Sequence, residues 1–459
     1  MRQSVRRRAV LKSFMGAAVA SGLAACGGGG DSAPEPAPGP APSPAPVPTP
    51  APSPVPTPAP TPAPTPAPTP APTPAPNRFY ASWTAAAVDA TASLPGTAPQ
   101  RAPTFDNQTV RQVVRLSLGG NSLRVKLSNL FGVAPLTVTA ARVARSTGGS
   151  NIDLATDHAL TFGGQTSVTI PAGAEVTSDA IAVAVAPLTN LAVSMYFAGP
   201  VTIPTIHPVA RQTAYTIAGN QVAAATLGGA GVDPFAAYYA LAAVETSSNE
   251  PTKVVVAFGD SHTDGSGSTV DAAKRFPNQL DDRLKAAGRA RTGIVNAGIG
   301  GNRWLNDFAG PNGLARFDRD VLDVAGVTHA LILMGINDIG FSVSPVPSQE
   351  VSADQITAAI GNAVSRAKAR GIEVIVGTLM PYRGTDYYSA AGETKRQAVN
   401  AWIRSSSGGA DAVVDFDLVM RSGSDPTVLN PAYDSGDHLH PNDAGYAAMA
   451  AAVDLALLA

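Results

Sequence analysis

Two rhythms divide the chain. Between Arg78 and about Val244, apolar residues come in short β-branched runs that alternate with polar ones. The clearest are Val113-Val114-Arg115-Leu116-Ser117-Leu118, Leu123-Arg124-Val125-Lys126-Leu127, Leu136-Thr137-Val138, Ser167-Val168-Thr169-Ile170, Ile181-Ala182-Val183-Ala184-Val185 and Leu191-Ala192-Val193-Ser194-Met195-Tyr196-Phe197. Runs of this length, separated by Gly, Pro and Asn, predict an all-β, antiparallel, jelly-roll-like sandwich. After the break Ser247-Ser248-Asn249-Glu250-Pro251 the period lengthens. Residues 254–258 are continuously apolar, as in a strand buried on both faces. Phe276, Leu280, Leu284 and Ala287 then repeat at helical spacing, and Gly288 closes that helix.

Further strands are predicted over 293–297, 330–334, 374–379 and 412–416, with helices between them. The clearest helix runs over 352–370: Ser352 and Gln355 make a capping box, Ile356, Ile360, Val364 and Ala367 form its buried face, and Gly371 ends it. A last helix is expected over 444–458, with Asn442 as its cap. Five parallel strands with crossover helices make an α/β, doubly wound sheet, whose ligands bind at the carboxyl ends of the strands.

The N-terminus reads differently from both. Arg6-Arg7-Arg8 precedes a short apolar stretch that reaches Leu23-Ala24-Ala25-Cys26, the layout of a signal peptide. Arg7-Arg8 with Lys12 resembles a twin-arginine export signal, and Leu23-Ala24-Ala25-Cys26 resembles a bacterial lipobox whose cysteine is lipidated; the plainer alternative is an ordinary cleaved signal with an incidental Cys. Cys26 is the single cysteine, so no intramolecular disulfide is possible. From Pro34 to Pro76 proline alternates with Ala, Thr, Ser and Val, which predicts a polyproline-II rod reaching roughly 130 Å, a tether or a passive spacer. The expected organisation is therefore a signal with lipobox over 1–26, a Gly/Pro-rich linker over 27–77, a β-domain over 78–247 and an α/β domain over 252–459. The expected address is export to the periplasm or cell surface as a membrane-anchored lipoprotein, and no other stretch is apolar enough to span a bilayer. With 14% charged residues and a net charge of −2, nothing favours nucleic acid as a partner.

The chemistry-bearing residues fall at the predicted strand ends. Ser261 follows the first strand of the second region through Gly259-Asp260. A serine hydroxyl needs a neighbouring base before it attacks, and His440 is the candidate, with Asp437 three residues earlier to orient it. Gly301 and Asn337 suit an oxyanion hole together with the backbone N–H of Ser261. Alone, each of these would be a turn or a cap; in this order, each at a strand end, they describe a nucleophilic hydrolase. Asp260 is expected to stabilise the turn, and His262 and His438 to line the substrate site. Asp437, His438 and His440 could also ligate a metal, but no other His or Cys cluster completes a shell. The expectation is no metal and no cofactor. His158 and His207 stand isolated and are read as structural. The β-region is either a carbohydrate-binding module or a scaffold, and the lack of an evident aromatic cluster favours the scaffold.

These blocks resemble the SGNH, or GDSL-type, hydrolase superfamily: Gly259-Asp260-Ser261, Asn296-Ala297-Gly298-Ile299-Gly300-Gly301-Asn302, Gly335-Ile336-Asn337-Asp338 and Asp437-His438-Leu439-His440. The resemblance spans about 253–458 and implies a flavodoxin-like sheet and hydrolysis of carboxylic esters through an acyl-serine. His262 stands where the family name has Leu, and the choice between Gly300 and Gly301 as donor is made for Gly301. No Gly-x-Ser-x-Gly elbow occurs. A β-segment followed by such a domain is similar to extracellular esterases grouped with xylan-degrading acetylesterases. The expectation is thus a monomeric esterase acting on short acyl esters such as acetylated polysaccharide. The alternatives are a lipase, lysophospholipase or arylesterase of the same superfamily, or a surface glycan-binding protein without catalysis.

Overall fold

The computed structural model of the protein describes residues 78–92, 102–228, 231–405 and 407–458; the expected export signal, Cys26 and the proline-rich linker lie outside them. Residues 78–248 are strand-rich and antiparallel. One four-stranded sheet runs Arg78–Thr84, Leu241–Ser248, Leu123–Ser128, Glu175–Thr177. A larger sheet centres on Gln108–Arg115, Asn190–Phe197 and Ala140–Gly148. Inward residues of both sheets, among them Trp83, Val114, Val125, Val193, Phe197 and Val244, share one apolar cluster. The alternating run 181–185 is a departure: it makes only isolated bridges, Ile181 with Leu123 and Val185 with Gly120. Val185 and Pro187 lie so close to Gly119 that a Cβ there would meet Val185 O at 2.6 Å and Pro187 Cδ at 2.8 Å.

The remainder is the expected parallel sheet. Its strands are β1 (Lys253–Gly259), β2 (Thr292–Gly298), β3 (Val327–Leu333), β4 (Glu373–Gly377) and β5 (Ala412–Val414). They lie in the order β2-β1-β3-β4-β5, all parallel, which is the flavodoxin-like order with its switch point beside β1. The helices are α1 (Ser261–Asp264), α2 (Phe276–Ala286), α3 (Gly313–Phe317), α4 (Ile336–Gly340), α5 (Ala353–Ala369), α6 (Ala390–Ser405), α7 (Phe416–Met420) and α8 (Asp443–Ala452). Strand alternation sorts the two faces. Val254, Val256 and Phe258 pack with Ile356, Ile360, Val399 and Ile403 of α5 and α6, while Val255 and Ala257 pack with Leu280, Leu284, Tyr446 and Met449 of α2 and α8.

The capping box at Ser352 and Gln355 forms as its sequence predicts. Several boundaries move: the strand expected over 330–334 begins at Val327, and the one expected over 374–379 ends at Gly377. Phe416 opens α7 instead of ending a strand, because the Asp415 carboxylate caps the Leu418 N–H. The last α-helix stops at Ala452, since Val453 takes extended angles, and 455–458 forms a separate 3-10 turn.

The strand-rich region is joined to the parallel sheet along the β2 edge. Tyr80, Ala81 and Leu118 enter the α5/α6-side cluster. The Ala81 N–H donates to Ala325 O at 2.8 Å, and Thr84 Oγ1 donates to Asn296 O at 3.0 Å.

Candidate active site

Ser261 opens α1 directly beyond the carboxyl end of β1. The turn tolerates no side chain at Gly259, where a Cβ would fall 2.2 Å from Thr263 Oγ1 and 2.3 Å from Leu333 O. Asp260 caps α1 by accepting the His262 N–H at 3.1 Å, as expected of a turn residue. Burial pushes the Asp260 carboxyl up to about 7, with the neighbouring Asp338 adding to the rise.

His440 arrives from a loop near the other end of the chain. Its Nε2 lies 2.8 Å from Ser261 Oγ and its Nδ1 2.6 Å from Asp437 Oδ2. A carboxylate only accepts, so Nδ1 carries the ring proton and Nε2 of the neutral ring is the acceptor for the serine O–H. Asp437 also takes the backbone N–H groups of Leu439 at 3.0 Å and His440 at 2.8 Å. Burial alone would raise its carboxyl, but the hydrogen bond from the His440 ring, with these N–H groups, holds it well below the usual carboxylate range. It therefore stays ionised and fixes the tautomer of the base.

The turn after β2 supplies the third part. Gly300 donates its N–H to Asp264 Oδ2 at 3.0 Å. No backbone partner takes the Gly301 N–H among the described residues. Gly301 sits at φ +76°, and a Cβ there would lie 3.1 Å from that of Ala309. Asn337, buried at the start of α4, anchors its amide on Asn302 O at 3.1 Å, the residue after Gly301. Asp338 braces the same turn by accepting from the N–H groups of Trp304 and Leu305.

The chain itself matches a family at this place. Residues 257–448 fit the GDSL-like lipase/acylhydrolase family. They form a GDSL-like domain. That makes the chain a carboxylic ester hydrolase, with the first three of the blocks named above at strand ends; the fourth, Asp437–His440, was expected at one too but lies in the loop between α7 and α8. No curated protein matches the chain. Among solved structures it is similar to a GDSL-like lipase from Bacteroides thetaiotaomicron at 23% identity, covering 45% of this chain and 88% of that one with a TM-score of 0.35. An acetyl xylan esterase from Geobacillus stearothermophilus is 22% identical over 45% of this chain and 94% of its own, with a TM-score of 0.35. Another acetyl xylan esterase is 19% identical over 43% and 96%, with a TM-score of 0.34.

Two expected lining residues of the GDSL-like domain take other places. The His262 ring is 1% exposed and sealed under the base, its Nε2 donating to Leu439 O at 3.0 Å. Burial first, then repulsion from His440 5.7 Å away, pushes it down to about 3, so it is a neutral brace. His438 sits at the outer rim, bound through Nδ1 to Asp434 Oδ2 at 2.8 Å. Sequence reasoning passed over Arg316, whose buried guanidinium donates to Gly259 O, Ala297 O, Asn302 Oδ1 and Asp320 Oδ2. It ties the ends of β1 and β2 to Asn302 in the turn after β2; the spacing of Arg316 and Asp320 on one helical face was its only trace in the sequence. His207, read as isolated, lies 3.0 Å from Asp264 Oδ1.

Proposed function

We propose that the chain is an exported serine carboxylesterase that works through an acyl-serine on short acyl esters, acetylated polysaccharide being the favoured substrate. One observation carries the mechanism: the unbroken line from Asp437 through His440 to Ser261, at 2.6 and 2.8 Å, at the carboxyl end of β1. Ser261 Oγ attacks the ester carbonyl while Nε2 of His440 takes its proton. The N–H groups of Ser261 and Gly301 and the Asn337 amide hold the oxyanion, and the imidazolium returns its proton to the leaving alcohol. Water, deprotonated by the same His440, then attacks the acyl carbon, and His440 returns that proton to Ser261 Oγ as the acyl–oxygen bond breaks and the acid leaves. Nothing in these steps calls for a metal or cofactor, and all the named groups come from one chain, so a monomer suffices.

A second reading, an arylesterase or lipase, draws on the half-buried row of Phe308, Phe341 and Tyr387, whose ring centroids are 4.9 and 5.9 Å apart. The shared apolar cluster between the antiparallel sheets supports a jelly-roll-like sandwich in a scaffold role. Arg7-Arg8 and the Leu23-Ala24-Ala25-Cys26 sequence support twin-arginine export and a lipid anchor, which palmitate labelling of wild type and C26A in cells tests: equal labelling removes the anchor.

The decisive experiment is p-nitrophenyl acetate turnover by wild type and Ser261→Ala. Loss of at least ~10³-fold is expected, and an active variant refutes the acyl-serine. A series from acetyl to octanoyl and aryl esters separates the two substrate readings.

A further inference from the structure

We propose that His207 is a positioning residue of the hydrolase site: from the strand-rich region it holds, through Asp264, the Gly300-Gly301 turn that presents the oxyanion donor. This rests on the oxyanion role given to Gly301 above. His207 ends the strand Thr205–His207, and its ring is buried, as is Asp264. Nδ1 lies 2.9 Å from Ala86 O and Nε2 lies 3.0 Å from Asp264 Oδ1. Asp264 is the last residue of α1, three after the nucleophile, and its other oxygen accepts the Gly300 N–H at 3.0 Å. One carboxylate thus touches the nucleophile helix and the oxyanion turn, and an imidazole from another sheet holds that carboxylate in place.

The charge state follows from the partners. A carbonyl oxygen can only accept, so Nδ1 must carry a proton; donation from Nε2 to a carboxylate needs a second one. The ring is therefore an imidazolium paired with Asp264. Burial alone, with help from Arg275, would lower the imidazole, but the charge and hydrogen bond of Asp264 and the bond to Ala86 O raise it overall. Without the imidazolium, buried Asp264 would lose the cation hydrogen-bonded to it. Its carboxylate would then lose the donor that aims it, and with it the Gly300 N–H would lose its fixed acceptor.

An independent contact grips the same turn. Ile299, immediately before Gly300, is buried in a small cluster with Ala86 and Val88, and Ile206 packs against it. Gly310, beyond the turn, lies so close to Val88 that a Cβ would meet its Cγ1 at 2.8 Å. The residues that hold His207 and Ile299 belong to one wall of the strand-rich region. That wall is a part of the catalytic apparatus and not a detachable module.

The test compares full-length wild type, His207→Gln and Arg115→Ala with p-nitrophenyl acetate, each normalised to active sites by burst titration. Arg115 pairs with Asp282 across the same junction at 2.6 Å, away from the site, and serves as the control. H207Q is expected to lose ~10-fold or more in kcat with KM within about twofold, below the ~10²–10³ for outright loss of an oxyanion donor. R115A should keep its kcat. A folded H207Q with wild-type kcat overturns the proposal, as does an equal loss in R115A. If H207Q does not fold, the ¹⁵N-histidine spectrum of the wild type decides. Both ring nitrogens of His207 protonated at pH 7.5 is the expected result, and a neutral ring overturns it. Activity surviving in S261A would strike the acyl-serine reading instead, so the two failures are distinguishable.

Discussion

The two halves of the active site are held by opposite means. Around the nucleophile, Asp260, Ser261, Thr263 and Asp264 are all at most 4% exposed, and their polar contacts cross the fold: Asp264 to Gly300, Asp264 to His207, Asn296 Nδ2 to Thr263 O. Around the base, the Asp437 side chain is 50% exposed and that of His438 52%. The contacts there are mostly local: Asp434 binds Gly436 and His438, and Asp437 binds Leu439 and His440. Ser261 and the Gly300-Gly301 turn are held by contacts from across the molecule, whereas His440 is aimed by side-chain turns of three or four residues plus one contact from His262 to Leu439. Damage to the base should therefore stop chemistry without loosening the protein, and damage to the nucleophile turn should do both.

The sharpest break is His440→Ala. We expect kcat/KM to fall ~10⁴-fold or more, while the thermal midpoint shifts little. Because base and nucleophile act as one unit, the double variant with Ser261→Ala should be no worse than either single one. A midpoint lowered as far by His440→Ala as by a core truncation would mean the loop is not locally held.

Gly301→Ala attacks the other half. A left-handed φ costs a non-glycine residue roughly 1–2 kcal/mol, and the new Cβ would crowd Ala309 at 3.1 Å. The turn must shift, and with it the donor, so kcat should drop ~10²-fold together with a measurable loss of stability. An alanine variant with full kcat would remove Gly301 from the oxyanion hole.

The legibility of the site in the sequence follows the same division. Ser261, Gly301 and Asn337 could be read because each follows an apolar run with turn chemistry beside it, and Asp437 with His440 because a carboxylate three residues before an imidazole is itself a local pattern. The α5 helix could be read because Ser352, Gln355 and its apolar face are local in sequence. The partners that support the nucleophile could not, since His207 and Asp264 are brought together only by two sheets docking, 57 residues apart. Periodicity also misled at 181–185, where alternation is real but the neighbouring backbone offers only two bridges. His262 was read as a lining residue because adjacency to the nucleophile says nothing about which way a helix turn faces.

Asp260 allows the comparison to be probed by pH. Its folded carboxyl keeps its proton up to about 7, whereas an unfolded Asp releases it near ~3.9. Between those values the folded state binds the extra proton, so stability falls as pH rises. Asp338 and Asp281, also pushed up to about 7 by burial, add to the slope. Asp260→Asn removes one share, about 2 kcal/mol between pH 5 and 7. Denaturant midpoints measured across that range should give a flatter profile for the variant, and parallel profiles would contradict a protonated Asp260.

The smallest effect is expected at His438, on the local side. Its backbone lies at φ +64°, a conformation that Asn tolerates better than most residues, and its ring is half exposed against Gly384. Its bonds to Asp434, from the backbone N–H at 3.0 Å and from Nδ1 at 2.8 Å, hold a surface turn and not the reacting atoms. His438→Asn keeps the backbone bond and should leave kcat/KM for p-nitrophenyl acetate within about threefold and stability within ~0.5 kcal/mol, as for most surface changes. The same variant assayed on a polymeric acetylated substrate gives the sharper reading. An unchanged KM leaves His438 as part of the turn that aims the base, while a KM raised only for the bulky alcohol would make the rim it occupies a wall for the leaving group.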